Sequence, residues 1–291
     1  MKYAYYPGCS AESTAQDQHI SILEVAKNLG IELQEPKGWS CCGSTSAHHT
    51  NKLLSVALPV ANLLKVQEMD MDMVVSCAAC YNRMKVANHE VNTNHKIKEQ
   101  VDKTIGKNYD GNVKVRHFIE ILLEDFGIEN LKKHFVYSLS DLKVACYYGC
   151  LLVRPPEVMK FDNPENPSSM EKLIEAMGGE GIEWPHKVEC CGGGFTLSRP
   201  EIVVELSGNI LEMAEASGAQ CIAVACPMCQ ANLDMRQNEI NKKKNTNYSI
   251  PIIYITQLLG LCLGIPPHKL GLKKSIVSPE KVVNSISKIL V

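Results

Sequence analysis

The residues best suited to chemistry in this 291-residue chain are ten of its thirteen cysteines, which fall into two copies of one pattern. Each copy has a single cysteine, then an adjacent pair followed by glycine, then a Cys-x-x-Cys pair. The copies are Cys9, Cys41, Cys42, Cys77 and Cys80, and Cys150, Cys190, Cys191, Cys226 and Cys229. In both copies the adjacent pair ends 35 positions before the Cys-x-x-Cys pair begins. The repeat predicts two similar sites, each with up to five sulfur ligands.

Five thiols around one site suit an iron–sulfur cluster better than a single metal ion. A tetrahedral zinc ion accepts four ligands. Adjacent cysteines cannot easily bind one small ion together, whereas they can bind two irons of a larger cluster. Cys41-Cys42-Gly43 and Cys190-Cys191-Gly192 add glycines, which let the backbone approach a bulky cluster. A pair of zinc sites remains an alternative because Cys-x-x-Cys pairs are common zinc ligands.

The remaining cysteines and the composition argue against a disulfide-rich secreted protein. Cys146, Cys221 and Cys262 lie in or beside apolar stretches, and we interpret them as buried thiols. The N-terminus has no signal-peptide core, and adjacent cysteines followed by glycine are typical of metal binding or redox chemistry in a reducing compartment. The net charge of −2 offers no attraction to nucleic acid. We therefore expect a cytoplasmic protein.

Membrane-spanning and nucleotide-binding segments are not expected on this chain. The most apolar stretch, residues 250–265, contains Pro251 and is shorter than the about 20 residues that span a bilayer. It predicts a buried strand and helix instead. The sequence has no Gly-x-Gly-x-x-Gly motif and no phosphate-binding loop, so we expect no flavin or nucleotide here. Electrons must then arrive through a partner.

The elements that carry the cysteines are also duplicated. Apolar runs such as Tyr3–Tyr6 and Leu142–Tyr147 precede the single cysteines, and similar runs precede both Cys-x-x-Cys pairs, with helical periods between them. This alternation predicts two α/β domains, residues 1–135 and 136–291, with mainly parallel sheets. Ligand sites in such sheets lie at the carboxyl ends of strands. The cysteines expected there are Cys9, Cys77, Cys150 and Cys226.

A helix is expected near the middle of the second half. The residues from Ser168 to Glu171 resemble a capping box, and they predict a helix that reaches Met177. Gly178-Gly179 would end this helix. The segment 163–167, with two prolines, predicts a loop before it.

The repeated pattern, Cys-x31-Cys-Cys-Gly-x33-Cys-x-x-Cys in the first copy, resembles the cysteine-rich CCG domain family over nearly the whole chain. Tyr5-Tyr6-Pro7-Gly8-Cys9 and the two-copy length are most similar to the branch formed by the B subunits of heterodisulfide reductases. The resemblance implies a non-cubane [4Fe-4S] cluster in each domain. It assigns one cluster to Cys9, Cys41, Cys42, Cys77 and Cys80, and the other to Cys150, Cys190, Cys191, Cys226 and Cys229.

The same resemblance implies an activity and partners. That branch reduces the disulfide between coenzyme M and coenzyme B, CoM-S-S-CoB, in methanogenesis, and two similar sites suit a two-electron reaction. The implied partners are a ferredoxin-like C subunit and a flavin-containing A subunit, with a hydrogenase or formate dehydrogenase upstream. The substrate carries sulfonate, carboxylate and phosphate groups, which need cations. Arg83 and Arg199 are the candidates, and His48 and His49 lie near the first cysteine pair.

Three different functions remain open at this point. Similar repeats occur in iron–sulfur subunits of lactate-, glycolate- and glycerol-3-phosphate-oxidising complexes and in relatives attached to succinate dehydrogenases and fumarate reductases, where the clusters relay electrons or pass them to a quinone. The sequence has no C-x2-C-x2-C-x3-C-P run, which favours the separate-subunit form of heterodisulfide reductase. Dithiol–disulfide exchange at a Cys-x-x-Cys pair and a zinc-stabilised interaction module are the second and third possibilities.

Overall fold

Two four-stranded parallel sheets, one in each half of the chain, form the centre of the molecule. A computed structural model describes residues 1–44 and 46–289, so the last two residues of the predicted second domain lie outside the described part. The strands are β1 (Lys2–Tyr6), β2 (Glu32–Gln34), β3 (Met73–Val75), β4 (Val115–His117), β5 (Tyr137–Ser138), β6 (Lys143–Tyr147), β7 (Glu180–Gly181), β8 (Cys221–Val224), β9 (Ile252–Tyr254) and β10 (Ser287–Lys288). The sheet orders are β2-β1-β3-β4 and β7-β6-β8-β9, and β5 pairs with β10 antiparallel. The predicted α/β class with mainly parallel sheets is confirmed.

Helices cover both sheets. In the first half they are α1 (Gln16–Asn28), α2 (Ser46–Thr50), α3 (Lys52–Gln67), α4 (Ala78–Thr93), α5 (His95–Ile105), α6 (Phe118–Glu120) and α7 (Ile128–Lys132), with a π-helix at Ile121–Gly127. In the second half they are α8 (Pro156–Met159), α9 (Ser169–Ala176), α10 (Pro200–Ala216), α11 (Pro227–Asp234), α12 (Gln237–Lys244), α13 (Ile255–Cys262) and α14 (Glu280–Ser285). Short 3-10 helices lie at Cys9–Glu12, Gly193–Phe195, Pro267–Leu270 and Leu272–Lys274. None of the helices in the described residues combines the length and apolar composition that a membrane crossing requires.

The central strands are buried on both faces, as parallel strands under two helical layers must be. Every residue of β3 and β8 is buried. The stretch that predicted a buried strand and helix forms β9 and α13, in agreement with the sequence. The buried apolar side chains form one continuous cluster across both halves. The halves are therefore packed against each other, and the domain division at residues 135 and 136 stays a prediction.

The predicted helix near residue 170 is present, but its start differs from the prediction. Helix α9 ends at Ala176, and Gly178 follows with a φ of 81°, as the glycine pair indicated. The Ser168 side chain makes no capping hydrogen bond. Instead, Asp162 Oδ2 accepts hydrogen bonds from the backbone N–H groups of Ser168 (2.8 Å) and Ser169 (2.7 Å). The capping-box prediction was wrong because a carboxylate from the preceding loop occupies the helix N-terminus.

Candidate metal centres

The cysteines lie at the carboxyl ends of the two central strands of each sheet. Cys9 and Cys150 follow β1 and β6 by three residues, and Cys77 and Cys226 follow β3 and β8 by two. Cys77 and Cys226 are also the N-cap residues of α4 and α11. The N-terminal amides of these helices favour negative charge, which suits thiolate ligands. The predicted placement at strand ends is confirmed.

The first cysteine set brings its thiols together in two pairs. The Sγ atoms of Cys9 and Cys41 are 3.8 Å apart, and those of Cys42 and Cys80 are 3.4 Å apart. The backbone N–H of Gly43 lies 3.4 Å from Cys41 Sγ. Cys9 and Cys41 are exposed, whereas the other three are buried. The set therefore reaches from the protein interior to the surface.

The second set repeats this arrangement. The Sγ atoms of Cys191 and Cys229 are 3.7 Å apart, and the N–H of Gly192 lies 3.3 Å from Cys190 Sγ. The Asn232 side-chain amide donates to the carbonyl oxygen of Cys191 at 3.2 Å. The Cys190-Cys191 pair is followed by a short 3-10 turn, and α10 begins only at Pro200.

A glycine before each single cysteine makes room for the set. Gly8 has a φ of 78°, and a Cβ there would lie 3.2 Å from Cys80 Sγ. Gly149 has a φ of 64°, and its Cβ would lie 3.1 Å from Cys229 Sγ. Both positions need glycine for backbone conformation and for close approach. We did not predict a functional role for either glycine. A glycine directly precedes the single cysteine in both copies of the pattern, and this shared feature could have indicated such a role.

The two sets adjoin each other inside the molecule. The backbone segments just before Cys77 and Cys226 meet across the halves. Gln18 Nε2 donates to the carbonyl oxygens of Ser76 (3.0 Å) and Ala225 (3.5 Å), the residues just before these cysteines. His117 Nε2 also lies 3.0 Å from Ser76 O. Burial lowers the pKa of His117 to about 4, so its ring is neutral at pH 7.

Hydrogen bonds between the thiols favour the thiolate at one cysteine and the protonated thiol at its partner, so they raise the pKa values of Cys41, Cys80, Cys150 and Cys229. Hydrogen bonds from Cys41 and Cys80, together with the charge of Arg83, lower the pKa of Cys42 to about 3 against the opposing effect of burial. A hydrogen bond from Cys150 lowers the pKa of Cys190 to about 6, and the amide of Gly192 adds to this shift. Thiolates are the form that binds metal.

The three cysteines outside the pattern are buried, as interpreted from the sequence. Burial raises the pKa of Cys221 and of Cys262 to about 12, and it raises that of Cys146 as well. These thiols stay protonated at neutral pH. They therefore lack the thiolate character of Cys42 and Cys190.

A cavity of about 270 Å³ opens beside the second set. It is lined by Cys150, Cys190, Cys191, Cys226 and Cys229, by the glycines that follow Cys191, and by Ser44, His49, Ala78, Ala79 and Arg83 of the first half. Arg83, which follows Cys80 in the sequence, therefore reaches the second set. His48 is exposed and does not line the cavity. Arg199 is exposed outside it, with its Nε 2.5 Å from Glu201 Oε1.

The donor set fits an iron–sulfur group. In residues 1–44 and 46–289, no three His, Cys, Asp or Glu side chains are placed to share one metal ion. What each half offers is five thiols, one glycine position that clears space for them, and a backbone amide 3.3–3.4 Å from sulfur. Thiolate ligands with amides aimed at sulfur are the donors of iron–sulfur proteins.

Comparisons with known proteins agree with this geometry. The profile of the cysteine-rich domain family CCG matches residues 3–85 and 144–234. The B subunit of the ferredoxin:CoB-CoM heterodisulfide reductase of Methanosarcina mazei is 32% identical over 95% of this chain and 94% of that protein. The 8-methylmenaquinol:fumarate reductase membrane anchor subunit of Wolinella succinogenes is 30% identical over 97% of this chain and 99% of that protein. The chain belongs to the cysteine-rich CCG domain family.

Within that family, the chain is an oxidoreductase component of the same type as the B subunits of heterodisulfide reductases, as the sequence predicted. A crystal structure of a hypothetical protein from Helicobacter pylori has a similar fold, with a TM-score of 0.72 and 9% identity. The similarity covers 95% of this chain and 52% of that one. At this identity the likeness concerns the fold alone.

Proposed function

We propose that this chain is the catalytic iron–sulfur subunit that reduces CoM-S-S-CoB to its two thiols in methanogenesis. The observation that carries the proposal is the adjacency of two equivalent five-cysteine sets: Gln18 links the residues just before Cys77 and Cys226, and a cavity lies at the second set. The reaction breaks one S–S bond, takes up two electrons and two protons, and forms one molecule each of coenzyme M and coenzyme B. Two equivalent sites match the two sulfurs of the bond.

The proposed cofactors are two non-cubane [4Fe-4S] clusters, one per set. Their residues are Cys9, Cys41, Cys42, Cys77 and Cys80, and Cys150, Cys190, Cys191, Cys226 and Cys229. Such clusters supply one-electron redox chemistry and iron that binds sulfur. The chain's own residues hold the thiolates in place through Gly43 and Gly192 N–H groups and shield the inner ones from water.

The proposed partners deliver the electrons. They are a ferredoxin-like C subunit next to this chain and a flavin-containing A subunit beyond it, with a hydrogenase or formate dehydrogenase upstream, in the cytoplasm. Support comes from the relative in Methanosarcina mazei, whose name describes one component of a ferredoxin-dependent heterodisulfide reductase. The side chains of Cys9 and Cys41 are exposed, so the first set has a surface from which electrons can enter.

A second candidate is an electron-relay subunit of a quinol:fumarate reductase. The observation that favours it is the 30% identity to the Wolinella succinogenes fumarate reductase subunit over 99% of that protein. In that case the two sets would pass electrons onward, and the cavity would take no disulfide.

An anaerobic assay of the intact complex separates the two candidates. With a reduced viologen as electron donor, we expect consumption of CoM-S-S-CoB and release of coenzyme M and coenzyme B in equal amounts. Fumarate with the same donor is the matched control and should be left unreduced. A complex that reduced fumarate and left the heterodisulfide intact would contradict the proposal.

A further inference from the structure

Two clefts occupy equivalent places in the two repeats. Each lies between the Cys-x-x-Cys helix of one half and the loop after the first strand of the other half. The first is the 270 Å³ cavity described above, where Ala79 and Arg83 of α4 face Leu151. The second, of about 560 Å³, has Met228 and Asn232 of α11 opposite Ser10 and Thr14. The pair of clefts follows from the duplication.

Position 83 breaks the symmetry of the two clefts. Arg83 lies three residues after Cys80, and its counterpart Asn232 lies three residues after Cys229. Asn232 is fully engaged, because its amide donates to Cys191 O (3.2 Å) and its carbonyl oxygen accepts from Thr196 Oγ1 (3.0 Å). Arg83 has one long hydrogen bond to the described residues, from Nη1 to Asn82 Oδ1 at 3.4 Å. Among the described residues, the first cleft therefore contains a cation at this position that no carboxylate engages, and the second cleft does not.

The guanidinium of Arg83 lacks an acidic partner. No carboxylate in the described ranges forms an ion pair with it, and its Nε is buried without a hydrogen bond to the described residues. Burial lowers the pKa of Arg83, while the neighbouring thiols of Cys42 and Cys150, one from each set, raise it. The Cys42 thiolate balances part of the charge of Arg83, but the buried Nε–H still lacks an acceptor, which is costly. An anion in the cleft would remove that cost and make charge-assisted hydrogen bonds.

The size of the first cleft limits what the anion can belong to. All five thiols of the second set line this cavity, so the proposed cluster would occupy part of its volume of about 270 Å³ and leave room only for a small group. Apart from Arg83, apolar side chains, glycines and cysteines form most of its lining. It suits a small thiol with one anionic group, next to the thiols of the second set.

We propose that Arg83 binds the anionic end of the smaller thiol in this cleft, so that the disulfide is held in one direction only. The inference rests on the proposed function, under which the small acidic thiol is coenzyme M and its anion is a sulfonate. Its sulfur then lies at the second cysteine set, although Arg83 belongs to the first half. The larger coenzyme B half extends toward the first set.

The test compares two thiols that differ in the anion. Coenzyme M carries a sulfonate, whereas 2-mercaptoethanol has the same two-carbon thiol and no charge. Their dissociation constants are measured by EPR titration of the oxidised, anaerobic complex. In Arg83→Gln we expect coenzyme M to bind about 10- to 100-fold more weakly, as for loss of a hydrogen bond to a charged group. Binding of 2-mercaptoethanol should change less than about twofold, since it makes no such bond.

Two further variants sharpen the comparison. Arg236→Gln removes an arginine that lines the second cleft and pairs with Glu239 at 3.0 Å, and it should leave both dissociation constants unchanged. Arg83→Lys keeps the charge but not the fork of donors, so a several-fold loss confined to coenzyme M is expected. Iron and sulfide contents establish that each variant retains its clusters. If Arg83→Gln loses iron, the test relies on Arg83→Lys. The factor by which coenzyme M binding weakens in that variant is then compared with the factor for 2-mercaptoethanol.

Other results would overturn the inference. Equal weakening of both thiols would mean that Arg83 acts on the protein's own thiolates, and unchanged coenzyme M binding would mean that it binds no substrate anion. In both cases the proposed function stands, because the wild-type complex still responds to coenzyme M. A wild-type complex that bound neither thiol would contradict the proposed function, and this inference with it.

Discussion

At the scale of single residues, the glycines before Cys9 and Cys150 are as specific to the sites as the cysteines. Each combines a positive φ with an approach of about 3 Å to the last sulfur of its set. The ten cysteines could be found from the sequence because their spacing repeats. The role of Gly8 and Gly149 could not, since a single sequence does not reveal which glycine faces a sulfur atom across the fold.

Gly149→Ala is expected to remove the second site and leave the first. The new Cβ would lie 3.1 Å from Cys229 Sγ on a backbone that disfavours any side chain, so the set cannot close around a cluster. Iron and sulfide per chain should fall by about half, as expected when one of two equivalent clusters is lost. Both are measured on anaerobically purified protein.

Gly218→Ala is the matched control for this change. Gly218 has a φ of 79°, but a Cβ there would contact nothing within 4 Å. Its cost should be limited to backbone strain of about 1–2 kcal/mol, with iron content unchanged. Full iron content in Gly149→Ala would show that the close approach to Cys229 does not matter.

At the scale of elements, the loop that carries Cys150 is held by a buried ion pair. Lys187 Nζ lies 3.0 Å from Glu171 Oε1, and both side chains are buried. The Lys187 carbonyl accepts hydrogen bonds from the backbone N–H groups of Tyr148 (2.9 Å) and Gly149 (3.1 Å). The Tyr148 hydroxyl donates to Glu171. This network ties α9 to the end of β6, where the second site begins.

Lys187→Met is expected to destabilise the fold by about 3 kcal/mol, because it leaves the buried Glu171 carboxylate without its cation. The measurement is guanidinium unfolding under anaerobic conditions, followed by circular dichroism. Lys132→Met serves as control, since its pair with Glu129 is exposed and worth at most about 1 kcal/mol. Equal losses of stability in the two variants would mean that the buried ion pair contributes no more to the free energy of unfolding than the exposed one.

Helices and strands whose position depends on burial were predicted well. The helix start that depends on a residue outside the local motif was predicted poorly. Buried apolar runs located β1, β6 and the strand–helix segment of β9 and α13 because a parallel strand must be apolar on both faces. The start of α9 was missed, since Asp162 lies six residues before Ser168 and no capping motif includes that spacing.

At the scale of the whole molecule, the two repeats pack directly against each other. Helix α1 contacts α13, and Ser21 Oγ lies 2.7 Å from Thr256 Oγ1 at that interface. Gln18 on the same helix joins the backbone segments before Cys77 and Cys226. The repeat predicted two sites, but not that Arg83 would face the opposite set, because that depends on how the halves pack.

The most direct test of the proposed disulfide reductase is EPR spectroscopy of the oxidised, anaerobic complex with coenzyme M, alongside iron, sulfide and zinc analysis. We predict iron and sulfide, and a paramagnetic signal that appears with the thiol and broadens when the thiol carries sulfur-33. That broadening would require substrate sulfur in contact with a cluster. Clusters whose signal is unaffected by the thiol would contradict the proposed function and favour an electron relay, and zinc without sulfide would contradict both.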